Sequence, residues 1–440
     1  MIRNDAGVHP NLSFDQAPPF GVPLRFLLTA PWFGVAAGLL LAWSGKSAVA
    51  TRWSADALAV THLLVAGYLL QAMSGALFQF VPVAAGGNVW RPRLVAAIVH
   101  PLFIVAAIVL AAGFLSFDGR LLRLAAGLFA PAVLILVSIV GMALLCTPAR
   151  GATVMTLRLA VGGLAVTVAL GVVLAEGLAG SHGWPLIAMT NVHAAWGLGG
   201  WALMLVLGVS YFVVPMFQLT PPYPASFARW ASIALVGVLV VWTLQLSGAP
   251  PDWLPLVWLA GFAVAGAYAG LTLSLQQRRR RRVTDPTFLF FRGAMACLFV
   301  AFVSAGLMLL WPDLGQDPRA AWWLGVLVIA GGFVSLVNGM AYKIVPFLCW
   351  LHLQRLAGIG GIVPNMREML TERAQKNQLR LHFVAVALLL AATFYPKAVV
   401  PGGVVFAVAS AWLGWNLIGA ARRYRVFKGR GFARVASQGS

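Results

Sequence analysis

Apolar runs long enough to cross a bilayer follow one another along almost the whole chain, and few folds accommodate that. A spanning helix takes about 20 residues. Runs of this kind are read at 25–44, 56–82, 94–115, 121–146, 155–177, 188–217, 230–248, 253–275, 288–311, 320–350, 381–396 and 399–421. The run at 381–396 is the shortest and is needed to return the chain for the last crossing. With 61% hydrophobic and only 10% charged residues, too little charge remains to solvate a soluble surface. The expected fold is an all-α polytopic membrane protein of twelve transmembrane helices, with a tail at 1–24, a single membrane domain at 25–421 and a basic tail at 422–440.

The formal charge of +20 follows topology rather than a nucleic-acid footprint. Lys46, Arg52, Arg120, Arg123, Arg319 and Lys397 fall on one side of the predicted membrane, and Lys343 lies within a span. The other basic residues collect in the N-terminal tail, the loops after even-numbered helices and the C-terminal tail. The positive-inside rule then puts both termini in the cytoplasm of a bacterial inner membrane. The run Arg278–Arg282 adjoins a helix end, where anionic lipid headgroups are the expected partner. Nucleic acid is not. Cys146, Cys297 and Cys349 are scattered and form no disulfide framework.

Three of the runs share a motif, G-x7-G-x2-[FY]-x2-V-P. It reads Gly67, Gly75, Phe78, Val81, Pro82; then Gly200, Gly208, Tyr211, Val214, Pro215; then Gly331, Gly339, Tyr342, Val345, Pro346. A repeat at such a period implies tandem units, here 25–150, 151–285 and 286–421, each of four helices with the marked one second. At about 100° per residue the motif positions share one helix face. Gln71 and Ser74 lie on that face in the first copy, Ser335 and Asn338 in the third. In the second copy His193 lies at its centre, beside Gly197 and Gly200. Those glycines are read either as close helix packing or as room for a flat group against the backbone. His62 lies about 160° from the face by straight-helix geometry. His62 and His193 therefore serve separate sites, or a helix distortion brings them together.

Neutral imidazole is the commonest metal ligand, so His62 and His193 are the candidate ligands. Cys349 and His352, spaced i, i+3, are a weaker pair, with His382 nearby in topology. Lys343 either snorkels to the inner surface or lines a proton or anion path. No Walker loop, HExxH, GxSxG or dinucleotide fingerprint occurs.

Twelve helices in three groups of four, with His193-Ala-Ala-Trp-Gly-Leu-Gly-Gly-Trp on the sixth and Thr61-His62 on the second, resemble the main subunit of the haem-copper oxidases. The resemblance implies a pseudo-threefold fold and, as cofactors, haem b and copper. It also implies lost oxidase activity. The run 230–248 has no His-His pair and the tenth helix no His-x-His. The chain is therefore similar in kind to degenerate members such as the NnrS family, linked to nitric oxide metabolism. The implied role is electron transfer or support of respiratory or nitric oxide metabolism, with a respiratory-chain or cytochrome partner. Two alternatives stay open: a cofactor-free transporter or channel along Gln71, Ser74, Ser335, Asn338 and Lys343, and an assembly subunit of a respiratory complex.

Overall fold

The long helices, in chain order, are α1 (Gly21–Ser44), α2 (Ala55–Ala84), α3 (Pro92–Ser116), α4 (Gly119–Cys146), α5 (Ala152–Ala179), α6 (Leu186–Gln218), α7 (Ala225–Ser247), α8 (Leu254–Gln277), α9 (Pro286–Leu310), α10 (Pro318–Leu356), α11 (Glu372–Ala391) and α12 (Val399–Gln438). This computed structural model describes residues 17–180, 183–248, 252–280, 283–357 and 363–438, with side chains to residue 429. His9, His182, Arg281, Arg282 and most of the 1–24 tail lie outside the described residues.

Eleven helices among the described residues are long and apolar enough to cross a membrane, and α11 is not one of them. Its first half carries Glu372, Arg373, Lys376 and Arg380, and it ends at Ala391 rather than continuing to 396. The expectation of twelve apolar crossings is corrected accordingly. The polar insert expected at 352–380 is partly helical. α10 runs on to Leu356, a single turn at Met366–Met369 is closed by an Asn365–Glu368 capping box, and α11 starts at Glu372. The basic tail at 422–440 continues α12 as helix to Gln438.

Helix starts follow local chemistry. The side chains of Ser54, Asp118, Asp285 and Asp317 accept backbone N–H groups at the first turns of α2, α4, α9 and α10, satisfying donors that helices leave unpaired. Pro92, Pro286 and Pro318 occupy the opening positions of α3, α9 and α10, where a missing N–H costs nothing.

The three motif helices are the innermost. In their most apolar stretches 67, 61 and 61% of residues in α2, α6 and α10 are buried, against 22–50% in the other eight spans. The outer helices present Leu39, Ile108, Leu134 and Leu256 outward, as a wall against hydrocarbon requires. Each motif helix also has a π-helical stretch around its first motif glycine: Leu63–Leu69, Trp196–Leu203 and Val326–Val334. Such stretches are rare and tend to sit at functional sites.

The motif glycines explain the close approach of neighbouring helices. A Cβ on Gly75 would lie 2.7 Å from Phe26 Cβ on α1, and one on Gly339 would lie 2.7 Å from Phe290 Cβ on α9. On α6 a Cβ at Gly208 would meet Thr156 of α5 at 3.2 Å. In all three cases the preceding helix fills the glycine notch, which is small-residue packing. Each motif proline leaves the carbonyl four residues earlier, that of Phe78, Tyr211 or Tyr342, without its helical donor.

Candidate functional site

His62 and His193 are neighbours. Their rings lie 6.4 Å apart between centroids with planes 21° apart. The straight-helix expectation that they point different ways is corrected, and the cause is the π turn. With about 4.4 residues per turn instead of 3.6, each π residue advances about 18° less. Over the five steps from His62 to Gly67 the shortfall is about 90°, which swings His62 off the far side of α2. A similar stretch follows His193.

Each imidazole is fixed by one backbone carbonyl. Nδ1 of His62 lies 2.8 Å from Leu58 O, and Nδ1 of His193 lies 3.0 Å from Thr167 O on α5. A carbonyl only accepts, so both Nδ1 atoms carry the proton and a neutral ring presents its Nε2 lone pair. Neither Nε2 has a hydrogen-bond partner among the described residues. Phe114 of α3 packs on His62 with centroids 4.8 Å apart. A Cβ on Gly171 of α5 would lie 3.2 Å from the His193 ring. The pair therefore sits where α2, α3, α5 and α6 meet. No group of three potential metal ligands occurs among the described residues.

The room expected beside Gly197 and Gly200 is taken by protein. A Cβ on Gly197 would touch Thr167 at 3.2 Å, and one on Gly200 would press on Trp196 at 2.7 Å and Leu239 of α7 at 3.3 Å. On the facing helix, a Cβ on Gly163 would fall closer than 3.0 Å to the backbone of Gly200. These glycines hold α5 and α7 against α6, and no flat group reaches the backbone there.

The polar faces of α2 and α10 lead to a residue that sequence reasoning set aside. His382, on α11, is 1% exposed. Its Nε2 lies 2.7 Å from Ser335 Oγ and its Nδ1 lies 3.3 Å from Asn338 Nδ2. Tyr68 of α2 donates to Asn338 Oδ1. An amide nitrogen only donates, so His382 accepts at Nδ1 and donates from Nε2 to Ser335. Ser335 in turn donates to Ala330 O, 3.2 Å away. The chain Tyr68–Asn338–His382–Ser335–Ala330 is thus directed throughout and ends on a carbonyl. Such a satisfied buried network rigidifies its helices. Gln71 and Ser74 are less well served: Gln71 Nε2 reaches His100 O at 3.4 Å, while Gln71 Oε1 and Ser74 Oγ are buried without partners.

Cys349 and His352 have different nearest partners. Cys349 Sγ faces Ala420 O on α12 at 3.8 Å, and the His352 ring sets its edge against Phe20 with centroids 5.3 Å apart. His382 belongs to the network above, and no group of three potential metal ligands joins Cys349 and His352 among the described residues.

A cavity of about 200 Å³ lies between the C-terminal halves of α2, α6 and α10. Its wall is almost wholly apolar, from Leu77 and Phe80 through Val209 to Ile344. Gln79, Phe212 and Lys343, each twelve residues after the first motif glycine, all line it. Both amide atoms of Gln79 are buried without partners. The Lys343 ammonium lies 5.3 Å from the Phe217 ring centroid, a cation–π distance. It forms no ion pair among the described residues. A small second cavity shares Val213, Phe217, Met340 and Lys343 and extends to Gln218 and, at the α8–α9 junction, to Arg279, Asp285 and Thr287. This cavity had no distinct signal in sequence, since its wall reads like ordinary core.

No protein-family model matches this chain, and no curated protein does. The findings establish an integral, polytopic, all-α membrane protein in contact with lipid. They leave the oxidase resemblance as a reading of residues.

Proposed function

We propose that this protein is a redox component of the membrane in which His62 and His193 jointly hold one metal ion, copper or iron. The observation that carries the reading is the paired arrangement. Two neutral imidazoles have Nδ1 committed to backbone and Nε2 uncommitted. With ring centroids 6.4 Å apart, the two imidazoles are near enough for one metal ion to be held by both. A carbonyl bonded to the far ring nitrogen is the usual way a protein orients a ligating histidine. Neither ring lines any of the three described cavities. The donor set therefore suits a metal ion, while no described cavity beside the rings gives a porphyrin room. A copper or iron bound there supplies one-electron chemistry. The chain's own part is to keep both rings neutral, oriented and sheltered by Phe114.

In the wider reading α11 completes twelve crossings in pseudo-threefold units 25–150, 151–285 and 286–421. The support is the π stretch and the filled glycine notch recurring in each motif helix. Both termini then face the cytoplasm of a bacterial inner membrane, with Arg278–Arg282 against anionic headgroups and a respiratory or cytochrome partner on the other side.

Metal analysis and absorption spectra of detergent-purified protein, expressed with copper and haem supplied, test the proposal. One equivalent of copper or iron is expected, lost in His62→Ala and in His193→Ala. Metal-free protein, or metal retained in both variants, rejects it. A second reading, a cofactor-free transporter or channel, is favoured by the unpartnered Gln71 Oε1 and Ser74 Oγ. It requires solute flux in proteoliposomes that Gln71→Leu abolishes.

A further inference from the structure

The cavity between α2, α6 and α10 stands apart from the histidine pair and does not depend on it. Its volume of about 200 Å³ exceeds the roughly 150 Å³ of an engineered apolar cavity that stays dry and takes up benzene. Apolar lining alone would make it a void. Two features make it a site. Lys343 brings an ammonium to the wall, 5.3 Å from the Phe217 ring centroid, with Arg279 and Asp285 lining the adjoining small cavity and no ion pair to Lys343 among the described residues. Gln79 is 8% exposed and brings two donors and an acceptor with no protein partner. A charge in such surroundings is costly unless paired. The second cavity beyond Lys343 opens the same corner toward the polar α8–α9 junction, so the ammonium marks the polar end of an otherwise apolar chamber.

We propose that this chamber binds a single-chain fatty carboxylate, with its headgroup on Lys343 and Gln79 and its chain along the α2, α6 and α10 walls. The carboxylate accepts from the Lys343 ammonium and from the Gln79 amide N–H groups, which supplies the charge-assisted bonds that both side chains lack. The chain lies against Leu77, Phe80, Val209 and Ile344 and fills space that water cannot wet favourably. A neutral alcohol of the same length gains the apolar contacts without the ion pair. Discrimination between the two headgroups therefore rests on Lys343.

The test uses the full chain in phosphatidylcholine nanodiscs, photolabelled with a diazirine-bearing dodecanoate and mapped by peptide mass spectrometry. Labelling is expected on cavity residues such as Ala76, Val209 and Ile344. Excess dodecanoate should compete it away, and dodecanol should not. Lys343→Met keeps the apolar stem and is expected to weaken dodecanoate competition about tenfold while leaving dodecanol unchanged. Ala76→Phe, which fills the chamber, should abolish labelling; the labelled lipid-facing background in the same sample reports that the variant is folded and embedded. Three results would each overturn the assignment: label confined to outward-facing residues, competition by dodecanol equal to that by dodecanoate, or Lys343→Met indistinguishable from wild type.

Discussion

Adjacent glycines on α5 offer a sharp test of the packing around the histidine pair. Gly162 has nothing within 4 Å of where a Cβ would stand, whereas a Cβ on Gly163 would fall within 3.0 Å of Gly200 backbone atoms on α6. Either alanine gains about 1 kcal/mol of helix propensity. At Gly163 the new methyl meets backbone that has no rotamer to escape into. α5 and α6 must part by about 1 Å to restore ordinary contact, and overpacking of this kind costs about 1–3 kcal/mol, occasionally more. Gly162→Ala should therefore be neutral to slightly stabilising and Gly163→Ala less stable than it by about 1–3 kcal/mol, since the propensity gain is common to both. The same parting stretches the bond from His193 Nδ1 to Thr167 O, one turn further along α5, so Gly163→Ala should also loosen any metal bound by His193. Thermal unfolding in detergent, followed by circular dichroism and a thiol-reactive dye, reads the stability, and metal retention on dialysis reads the second effect. A Gly163→Ala protein as stable as Gly162→Ala would refute the backbone-to-backbone contact.

Other expectations follow from the same contacts. Asn338→Leu strands the Tyr68 hydroxyl and His382 Nδ1 and should cost on the order of 2–4 kcal/mol; adding Tyr68→Phe should recover part of it, and a double variant no more stable than the single one would contradict the directed chain. His62→Ala should release metal without lowering the unfolding temperature by more than Asn338→Leu does, because the ring's one hydrogen bond is to its own helix. Asp317, outside the membrane segments and partly exposed, has its carboxyl held below the usual carboxylate range by the Arg319 side chain and backbone N–H. A depressed pKa adds stability above the unfolded value and loses it as pH falls through the folded one. Hydrogen exchange at the first turn of α10 should therefore quicken below about pH 4, and Asp317→Asn should remove that pH dependence.

Membrane class and the three marked helices were legible because both signals are local. Apolar length is read within one segment, and the glycine spacing within one helix face. The packing role of Gly75, Gly208 and Gly339 was available for the same reason, although its partners on α1, α5 and α9 were not. The orientation of His62 was illegible because face arithmetic assumes 100° at every residue, and nothing in Leu63–Leu69 announces a wider turn. His382 is not legible from the sequence as the partner of Ser335 and Asn338, because a polar helix face suits an open path equally well. Their depth on a helix adjoining a histidine-bearing one was the available signal. The run at 381–396 does not stand as an apolar span because its helix stops at Ala391 and opens with Glu372, Arg373, Lys376 and Arg380.

The three π turns divide each central helix into two segments whose rotational phases are set separately. Removing one residue from Leu63–Leu69 would return that stretch to α-helical pitch and turn everything outside it by about 100°. His62 would then leave His193, while Gly75, Gln79 and the inner chamber kept their places. Substitutions alone move a side chain along a fixed wheel; a single-residue insertion or deletion at these turns resets the wheel. The outer and inner ends of α2, α6 and α10 are thus free to diverge independently, so a lineage carrying this scaffold can change what it holds near one membrane surface without rebuilding what it holds near the other.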